Sequence, residues 1–284
     1  MSESVKCYEI GGVRIRLKAD FPIYAGHYFP LFESGFETAD AEQEFISADN
    51  LEFPEGIPAK RVGMRRIYER ENEMLIAYRS VYSEEVCDAI VYMKPSKCTV
   101  KTYVSSSFSQ EHEGKLYVHQ FSEIPHLMLV AGTAILHSSF IVHEGKAILF
   151  TADSGVGKST QAELWRKKMG ADIINGDRAA IRMENGAAYA GGVPYCGCSR
   201  ICERGEYPIR AIVTLSQEKE NTAQRLSPMQ AVPKLFKQLT VHSYLREDIE
   251  RAMRIVCEVA EKVPIVHLGC TPDERAVEIL LRAI

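Results

Sequence analysis

Residues 147–160, Ala-Ile-Leu-Phe-Thr-Ala-Asp-Ser-Gly-Val-Gly-Lys-Ser-Thr, decide the fold class of this chain. The first four residues form an apolar run that predicts a buried strand. After the glycine-containing loop, Ala162, Trp165 and Met169 recur at helical spacing, and Gly170 follows as a helix terminator. A strand that enters such a loop and continues into a helix is the setting of a phosphate-binding P-loop. The pattern therefore indicates a nucleotide-binding domain of the α/β class.

The loop residues match what phosphate binding requires. Gly155 and Gly157 allow a tight turn whose N–H groups point inward at phosphate oxygens. Lys158 supplies a positive charge, Ser159 can coordinate Mg²⁺ through its hydroxyl, and the following helix directs its positive dipole end at the same place. The predicted nucleotide contacts are Asp153, Ser154, Gly155, Val156, Gly157, Lys158, Ser159 and Thr160.

Composition excludes several classes of protein. The 284 residues carry a net charge of −4 without a basic stripe, which argues against a nucleic-acid partner. The longest apolar runs are too short for a bilayer, and no signal segment is recognisable, so we expect a cytoplasmic protein without a membrane partner. The eight cysteines are dispersed, which favours a reduced state. The cluster of Cys196, Cys198 and Cys202 leaves metal binding open as an alternative, although no further pair follows at zinc-finger spacing.

The chain divides into two patterns, which predict a β-rich N-terminal domain at 1–124 and the P-loop domain at 125–284. In the first, apolar residues alternate along short segments that are separated by turn residues, which indicates an antiparallel domain. We predict strands at 74–81, 89–93, 99–104 and 115–121 and a solvated loop around His112. The second opens with an apolar stretch at 127–136 that we predict to be helical. It continues with a hairpin at Asn185-Gly186, capping boxes at Ser227 and Thr271, and a long helix at 246–263.

An acidic residue after the loop is the main candidate for catalysis. Asp177 follows a short apolar strand, and it could bind Mg²⁺ or accept a proton from a hydroxyl; the alternative is an ordinary turn aspartate beside Gly176. His137 is a second candidate, and its alternative is a hydrogen-bonded core histidine. The strand 211–215 ends without the aspartate of a Walker B motif, which argues against an ordinary motor or transport ATPase. Three arginines are candidate phosphate or substrate contacts: Arg178, Arg200 and Arg204.

These motifs, in this order, resemble the HPr kinase/phosphorylase family, whose P-loop arrangement is shared with phosphoenolpyruvate carboxykinases. The elements that carry the resemblance are Leu136-His137-Ser138, the loop 153–159, Gly176-Asp177-Arg178 and Gly192-Val193-Pro194-Tyr195-Cys196-Gly197. The resemblance covers roughly residues 125–284. It implies that His137, Lys158, Ser159 and Asp177 line the phosphate and Mg²⁺ site, with Asp177 activating a serine hydroxyl.

Three positions depart from the common pattern. Ala152 stands where a P-loop usually has its first glycine, Gly176 replaces the first acid of an Asp-Asp pair, and Thr160 replaces a glutamate. The departures at Gly176 and Thr160 argue against HPr itself as the phosphate acceptor, and more strongly against the reverse phosphorylase reaction.

The sequence thus predicts a kinase that uses ATP and Mg²⁺ to phosphorylate a hydroxyl, most simply a serine in a peptide or small protein. One alternative is a nucleotide-binding regulatory or scaffold protein whose catalysis is weakened by the loss of the paired acid. Another is a kinase of a free small molecule. The resemblance also implies that the chain can form a homo-oligomer.

Overall fold

The computed structural model describes residues 4–111, 116–117 and 120–284. It is of the mixed α/β type, and the chain divides into two compact units. The first unit comprises the residues up to Glu9, Val13–Ala131 and His242–Asp248, and the second comprises Ile10–Gly12, Gly132–Val241 and Ile249–Ile284. Within the described residues, none of the helices combines the length and the apolar character needed to cross a membrane.

The first unit is built on an eight-stranded sheet with the spatial order β1-β2-β4-β9-β8-β7-β6-β5, and β3 and β10 form a separate parallel pair. Its elements are β1 (Ser4–Ile10), β2 (Val13–Ala19), β3 (Ile23–Tyr24), β4 (Ala41–Ala48), β5 (Ala59–Val62), β6 (Arg65–Arg70), β7 (Glu73–Arg79), β8 (Cys87–Met93), β9 (Thr99–Ser105), α1 (Ser106–Glu111), β10 (Leu116–Tyr117) and α2 (Ile124–Val130).

The expectation of an antiparallel sheet is wrong for two strand pairs. β2 pairs with β4 in parallel, and β4 pairs with β9 in parallel. Parallel neighbours need a long crossover, and here the connection from β4 to β9 contains the whole meander β5 to β8. Alternation of apolar residues does not distinguish the two directions, so the sequence could not reveal them. The predicted loop at His112 and most of the predicted strand 115–121 lie outside the described residues.

Two segments of the first unit are joined by a buried ion bridge, which His242 forms with Glu123 and Asp248. The Nδ1 atom of His242 lies 3.2 Å from Asp248 Oδ2, and its Nε2 atom lies 3.1 Å from Glu123 Oε2. Both carboxylates are almost fully buried, and His126 Nδ1 lies 2.8 Å from the other oxygen of Asp248. Burial alone would lower the pKa of His242, but the charge of Glu123 and the contact with Asp248 outweigh it and raise that pKa to about 9. His242 is therefore a cation at neutral pH.

We expect the stability of the protein to fall as His242 loses its proton. The folded pKa of about 9 lies above the ordinary value of 6.5. The bridge therefore stabilises fully below the ordinary pKa, and its contribution is lost as pH rises through the folded pKa. In His242→Gln this pH dependence of the free energy of unfolding, about 3 kcal/mol, should disappear. Urea unfolding of both proteins across this range measures the difference, and identical pH profiles would contradict the bridge.

The second unit is built on a nine-stranded sheet in which β11-β15-β16-β17-β13-β12-β14 form one path and β19 joins β17 and β18. Its strands are β11 (Thr133–His137), β12 (Ser139–His143), β13 (Lys146–Thr151), β14 (Asp172–Asn175), β15 (Arg178–Glu184), β16 (Ala187–Gly191), β17 (Glu206–Gln217), β18 (Thr222–Arg225) and β19 (Ile265–Cys270). Its helices are α3 (Lys158–Met169), α4 (Pro228–Phe236) and α6 (Arg275–Ala283), and α5 (Arg246–Lys262) begins in the first unit and continues in the second.

The apolar stretch 127–136 is not one helix. α2 ends at Val130, Gly132 adopts a φ of 85°, and Thr133 begins strand β11. Glycine tolerates this left-handed backbone, and the β-branched residues Thr133 and Ile135 favour the strand that follows. A fully buried strand and a buried helix look alike in periodicity, which explains the wrong prediction.

Other local predictions have mixed outcomes. Asn185 and Gly186 adopt φ values of 49° and 79° and join β15 to β16 as an antiparallel hairpin, as predicted. The capping box at Ser227 is present at the start of α4. The one predicted at Thr271 is wrong, because α6 begins only at Arg275. There Asp273 accepts hydrogen bonds from Thr271 Oγ1 and from the N–H group of Arg275, the first residue of α6.

The strand directions bring two loops to one edge of the second sheet. β13 and β14 are both antiparallel to β12, so they run in the same direction, and β17 is parallel to β13. The fully buried Trp165 of α3 lies 6.4 Å from Phe150 of β13, measured between ring centroids, and fixes the helix against the sheet. The residues that follow β13 and β14 therefore emerge on the same side.

Candidate functional site

The loop between β13 and α3 has two glycines in a left-handed conformation and backbone N–H groups without partners. Gly155 and Gly157 adopt φ values of 81° and 125°, a conformation that side chains other than glycine rarely adopt. In the described part of the chain their N–H groups find no hydrogen-bond acceptor, and no side chain caps the start of α3. Unpaired N–H groups at a helix N-terminus are a place where anions bind.

Lys158 lies inside this loop. Its Nζ atom donates hydrogen bonds to the carbonyl oxygens of Ala152, at 2.9 Å, and Asp153, at 3.3 Å, and only 8% of the residue is exposed. Burial lowers the pKa of the ammonium, and the nearby charges of Asp177 and Asp153 partly oppose this. The loop thus holds a buried cation together with its unpaired N–H groups.

Three side chains that the sequence did not single out fix the loop from outside. Lys237 Nζ and Gln238 Nε2 each lie 2.7 Å from a carboxylate oxygen of Asp153. Gln217, the last residue of β17, donates to the carbonyl oxygens of Gly155 and Val156 at 3.3 and 3.4 Å. The strand end where a Walker B aspartate was missing therefore supplies an amide that supports the loop.

Asp177 sits in a tight turn between β14 and β15 that Asn175 shapes. The fully buried Asn175 accepts hydrogen bonds at 2.9 Å from the N–H groups of Asp177 and Arg178 through its Oδ1 atom. Its Nδ2 atom donates to the carbonyl oxygens of Val193 and Tyr195. The hydrogen bonds of Asn175 thereby tie the turn to the segment after β16. The side chain of Asp177 itself is 26% exposed.

The structure brings His137 to Asp177. His137 Nε2 lies 3.2 Å from Asp177 Oδ1, and Arg178 Nε lies 3.2 Å from Asp177 Oδ2. Arg178 also donates to Thr240 Oγ1 at 2.7 Å. The two oxygens of one carboxylate thus face an imidazole and a guanidinium. Arg200 and Arg204 are exposed in the segment whose backbone pairs with β14.

The junction of β11 and β12 connects the two loops. Thr151 Oγ1, at the end of β13, donates to the carbonyl oxygen of His137 at 2.8 Å. Ser138 N donates to the carbonyl oxygen of Asp177, and Ser139 Oγ donates to that of Gly176. Because these contacts are short and partly buried, they fix the turn at Asp177 relative to the loop between β13 and α3.

Ser159 borders a cavity that reaches the same turn. This cavity of about 300 Å³ is lined by Ser159 and Glu163 of α3, by Gly176, and by Ser199. A Cβ atom at Gly176 would collide with the side chain of Ser199. Ser199 therefore takes the space that a first acid of an Asp-Asp pair would need, which gives a physical reason for the glycine.

The three thiols of the cysteine cluster do not converge on one point. Cys196 and Cys202 are buried, Cys198 is exposed, and Cys202 Sγ donates to the carbonyl oxygen of Val193. Among the residues that the structure describes, the one group of three whose metal-ligand atoms converge lies elsewhere, at His126, His242 and Asp248. Those converging atoms already pair with one another in the ion bridge of the first unit.

Gly197 sets the position of Asp177 from the other side. It adopts a φ of 53°, and a Cβ atom there would lie 2.8 Å from Asp177 Cγ. In Gly197→Ala we therefore expect a displaced carboxylate and turnover reduced by about tenfold to a hundredfold, with nucleotide affinity little changed. Gly186→Ala is the matched control, because it has the same backbone strain with open space around its Cβ position. Steady-state kinetics and nucleotide titration check this; equal losses in both variants would remove the positioning role.

Comparisons with known proteins give little further information. No protein-family model matches the chain, and no curated protein matches it. Among solved structures, the Hpr(Ser) kinase/phosphatase from Coxiella burnetii is similar, with 11% sequence identity over 52% of this chain and 93% of that chain, and a TM-score of 0.31. At this identity and TM-score the similarity carries no argument about the fold or the activity of this chain.

Proposed function

We propose that the chain is a kinase that transfers the γ-phosphate of ATP to a hydroxyl, most simply a serine in a peptide or small protein. One observation carries the proposal: a loop with unpaired N–H groups and a buried lysine lies at the same sheet edge as a carboxylate that contacts a histidine. Phosphoryl transfer needs positioning, charge neutralisation and one proton acceptor, and this arrangement offers candidates for each.

The donor would bind along the loop. The N–H groups of Gly155 and Gly157 and the ammonium of Lys158 suit the phosphates of a nucleotide. Next to them, a cavity of about 370 Å³ is lined by Val156, Thr160, Gln217 and other residues from the ends of β17 and β19. Its position beside the loop makes it the candidate site for the base and ribose.

The site offers two side chains with oxygen atoms that suit Mg²⁺. Ser159 and Asp177 would hold the ion, since a hydroxyl and a carboxylate are ligands that Mg²⁺ accepts. When bound, Mg²⁺ neutralises charge on the phosphates. The absence of a carboxylate at Gly176 leaves Asp177 as the acid that the turn contributes.

Asp177 would act on the acceptor. Its carboxylate takes the proton of the attacking hydroxyl, the hydroxyl oxygen bonds to the γ-phosphorus, and the bond from that phosphorus to the bridging oxygen of ADP breaks. His137 and Arg178 hold the carboxylate from two sides and so orient it. Because Asp177 can serve as base or as metal ligand, the two roles predict different mutant kinetics.

A turnover assay tests the proposal. ATP consumption is measured with Mg²⁺, alone and with a panel of serine-containing peptides. Consumption that depends on both Mg²⁺ and a peptide supports a kinase. No consumption with any peptide, together with tight ATP binding, would contradict it.

A second candidate function is regulation by nucleotide occupancy. The observation in its favour is that Ser199 fills the space beside Gly176, so the turn offers one acid where catalysis by a paired acid would need two. The same assay separates the candidates, because a regulatory protein binds ATP through the loop but does not consume it when peptides are added.

A further inference from the structure

The first unit contains a cavity that the proposed chemistry does not use. Its volume is about 570 Å³, and it lies at the end of the eight-stranded sheet where β6 begins and β7 ends. Its walls come from the turn between β5 and β6, from the turn after β7, and from the described residues near Phe121. A concave site of this size accommodates a large side chain together with its neighbours.

Aromatic rings form one wall of the cavity. Tyr78 and Phe121 pack edge to face with 5.1 Å between ring centroids, and Phe108 packs against Phe121 at 5.0 Å in the same manner. Gln43 fixes this wall, because its Nε2 atom donates to the carbonyl oxygen of Phe121 at 2.9 Å. The wall is therefore apolar and held in place, as suits an aromatic or large aliphatic group.

The rim of the cavity exposes large apolar side chains. Val81 is 70% exposed and Tyr82 is 83% exposed, and both line the cavity from the turn between β7 and β8. Exposed apolar groups around a concave site are typical of a binding surface, because covering them removes apolar area from water.

The strand edge beside the cavity is positively charged, although Glu84 and Glu85 lie in the turn after β7 and Tyr78 donates a hydrogen bond to the buried Glu123. Among its described lining residues, Arg65 and Arg79 oppose one acid, Asp88. The guanidinium of Arg65 lies 5.2 Å from the ring centroid of Tyr78. Residues 59–68, which include the whole of β5, carry four cationic residues and no acidic residue. A ligand with acidic groups is therefore favoured over a basic one.

The sheet edge next to the cavity can pair with another backbone. β5 is the last strand in the spatial order, and within the described residues it pairs with β6 alone. Its side chains Lys60 and Arg61 are exposed. An open strand edge beside an apolar pocket is the arrangement by which extended peptides bind, with the backbone on the edge and a side chain in the pocket.

We propose that this cavity and the edge of β5 bind an extended acidic peptide segment that inserts an aromatic or large aliphatic side chain beside Tyr78. The identification of this segment with the phosphate acceptor rests on the proposed function, whereas the binding itself does not. Val81 and Tyr82 cover the inserted side chain, and Lys60, Arg61 and Arg65 face the acidic residues around it.

Binding of synthetic peptides to the full chain tests this proposal. The probes are short fluorescein-labelled peptides with one serine, several acidic residues and one Phe, and comparison peptides in which the Phe is Ala or the acids are Lys. Fluorescence anisotropy is measured without nucleotide. We expect the acidic Phe peptides to bind, and each comparison peptide to bind at least about tenfold more weakly.

Surface variants locate the site. Val81→Ser combined with Tyr82→Ser, and Lys60→Glu combined with Arg61→Glu, should each weaken binding by about tenfold, and these exposed positions leave the core intact. Met229→Ser is the matched control, because Met229 is 87% exposed and belongs to the second unit. Unchanged affinity in both double variants, or no binding of any peptide to the unaltered chain, overturns the proposal.

The outcome is separable from that of the proposed function. Peptide that binds in a Tyr82-dependent way but receives no phosphate contradicts the kinase and leaves the binding site standing. Peptide that is phosphorylated equally well by the unaltered chain and by both double variants supports the kinase and overturns the identification of the bound segment with the phosphate acceptor.

Discussion

Lys158→Ala is expected to abolish phosphate transfer and to weaken ATP binding by about a hundredfold or more. Lys158 carries the positive charge inside the loop, its Nζ atom lies within hydrogen-bond distance of two loop carbonyl oxygens, and 8% of the residue is exposed. Its removal takes away the cation that would neutralise the phosphates. Titration with a fluorescent ATP analogue measures the affinity, and product formation measures transfer.

Two further variants separate charge from folding. Lys158→Met retains most of the apolar stem, so it should lose binding to a similar degree while the free energy of unfolding stays close to that of the unaltered chain. Lys167→Ala removes an exposed lysine from the other end of the same helix and should change neither quantity. Retention of transfer in Lys158→Ala would contradict the assignment of the loop as the phosphate site.

Asp177→Asn is expected to reduce kcat by about a thousandfold and to change ATP affinity by much less. Asparagine keeps the size of the side chain and can still accept a hydrogen bond, but it cannot take a proton from a hydroxyl. The turn should persist, because it is held by hydrogen bonds from the backbone N–H groups of Asp177 and Arg178 to Asn175. Single-turnover kinetics and nucleotide titration measure the two effects.

Asp172→Asn is the control for this change, since Asp172 is exposed at the start of β14, the strand that precedes the turn of Asp177. It should leave both quantities unaltered. If Asp177→Asn lowers ATP affinity as much as kcat, the carboxylate acts mainly by holding the nucleotide and its Mg²⁺. That result would argue against a role as base.

Local patterns predicted the elements around the site well. The strand before the loop, the helix after it and its end at Gly170 follow from periodicity and from a glycine, which adopts a φ of 64° at the helix end. The long helix predicted at 246–263 extends from Arg246 to Lys262. Each of these depends on residues close together in the chain.

Local patterns could not predict contacts between residues that lie far apart in the chain. Lys237 and Gln238 reach Asp153 across more than eighty positions, at separations of 84 and 85. Nothing in the sequence around them marks either residue. The collision between Ser199 and a side chain at Gly176 also depends on tertiary structure, so the missing acid had no visible cause in the sequence. Asn175 alone gave a signal, because an asparagine before Gly176 and Asp177 is typical of a side chain that shapes a turn.

The most direct test of the account is the mass of the acceptor after reaction. Serine-containing acidic peptides, and matched peptides in which the serine is Ala, are incubated with the full chain, ATP and Mg²⁺, and their intact masses are measured. The account predicts the addition of one phosphate to the serine peptide, its absence from the alanine peptide, and its loss with Lys158→Ala. Absence of phosphate from every serine peptide, with ATP bound through Lys158, would contradict the kinase and favour regulation by nucleotide occupancy.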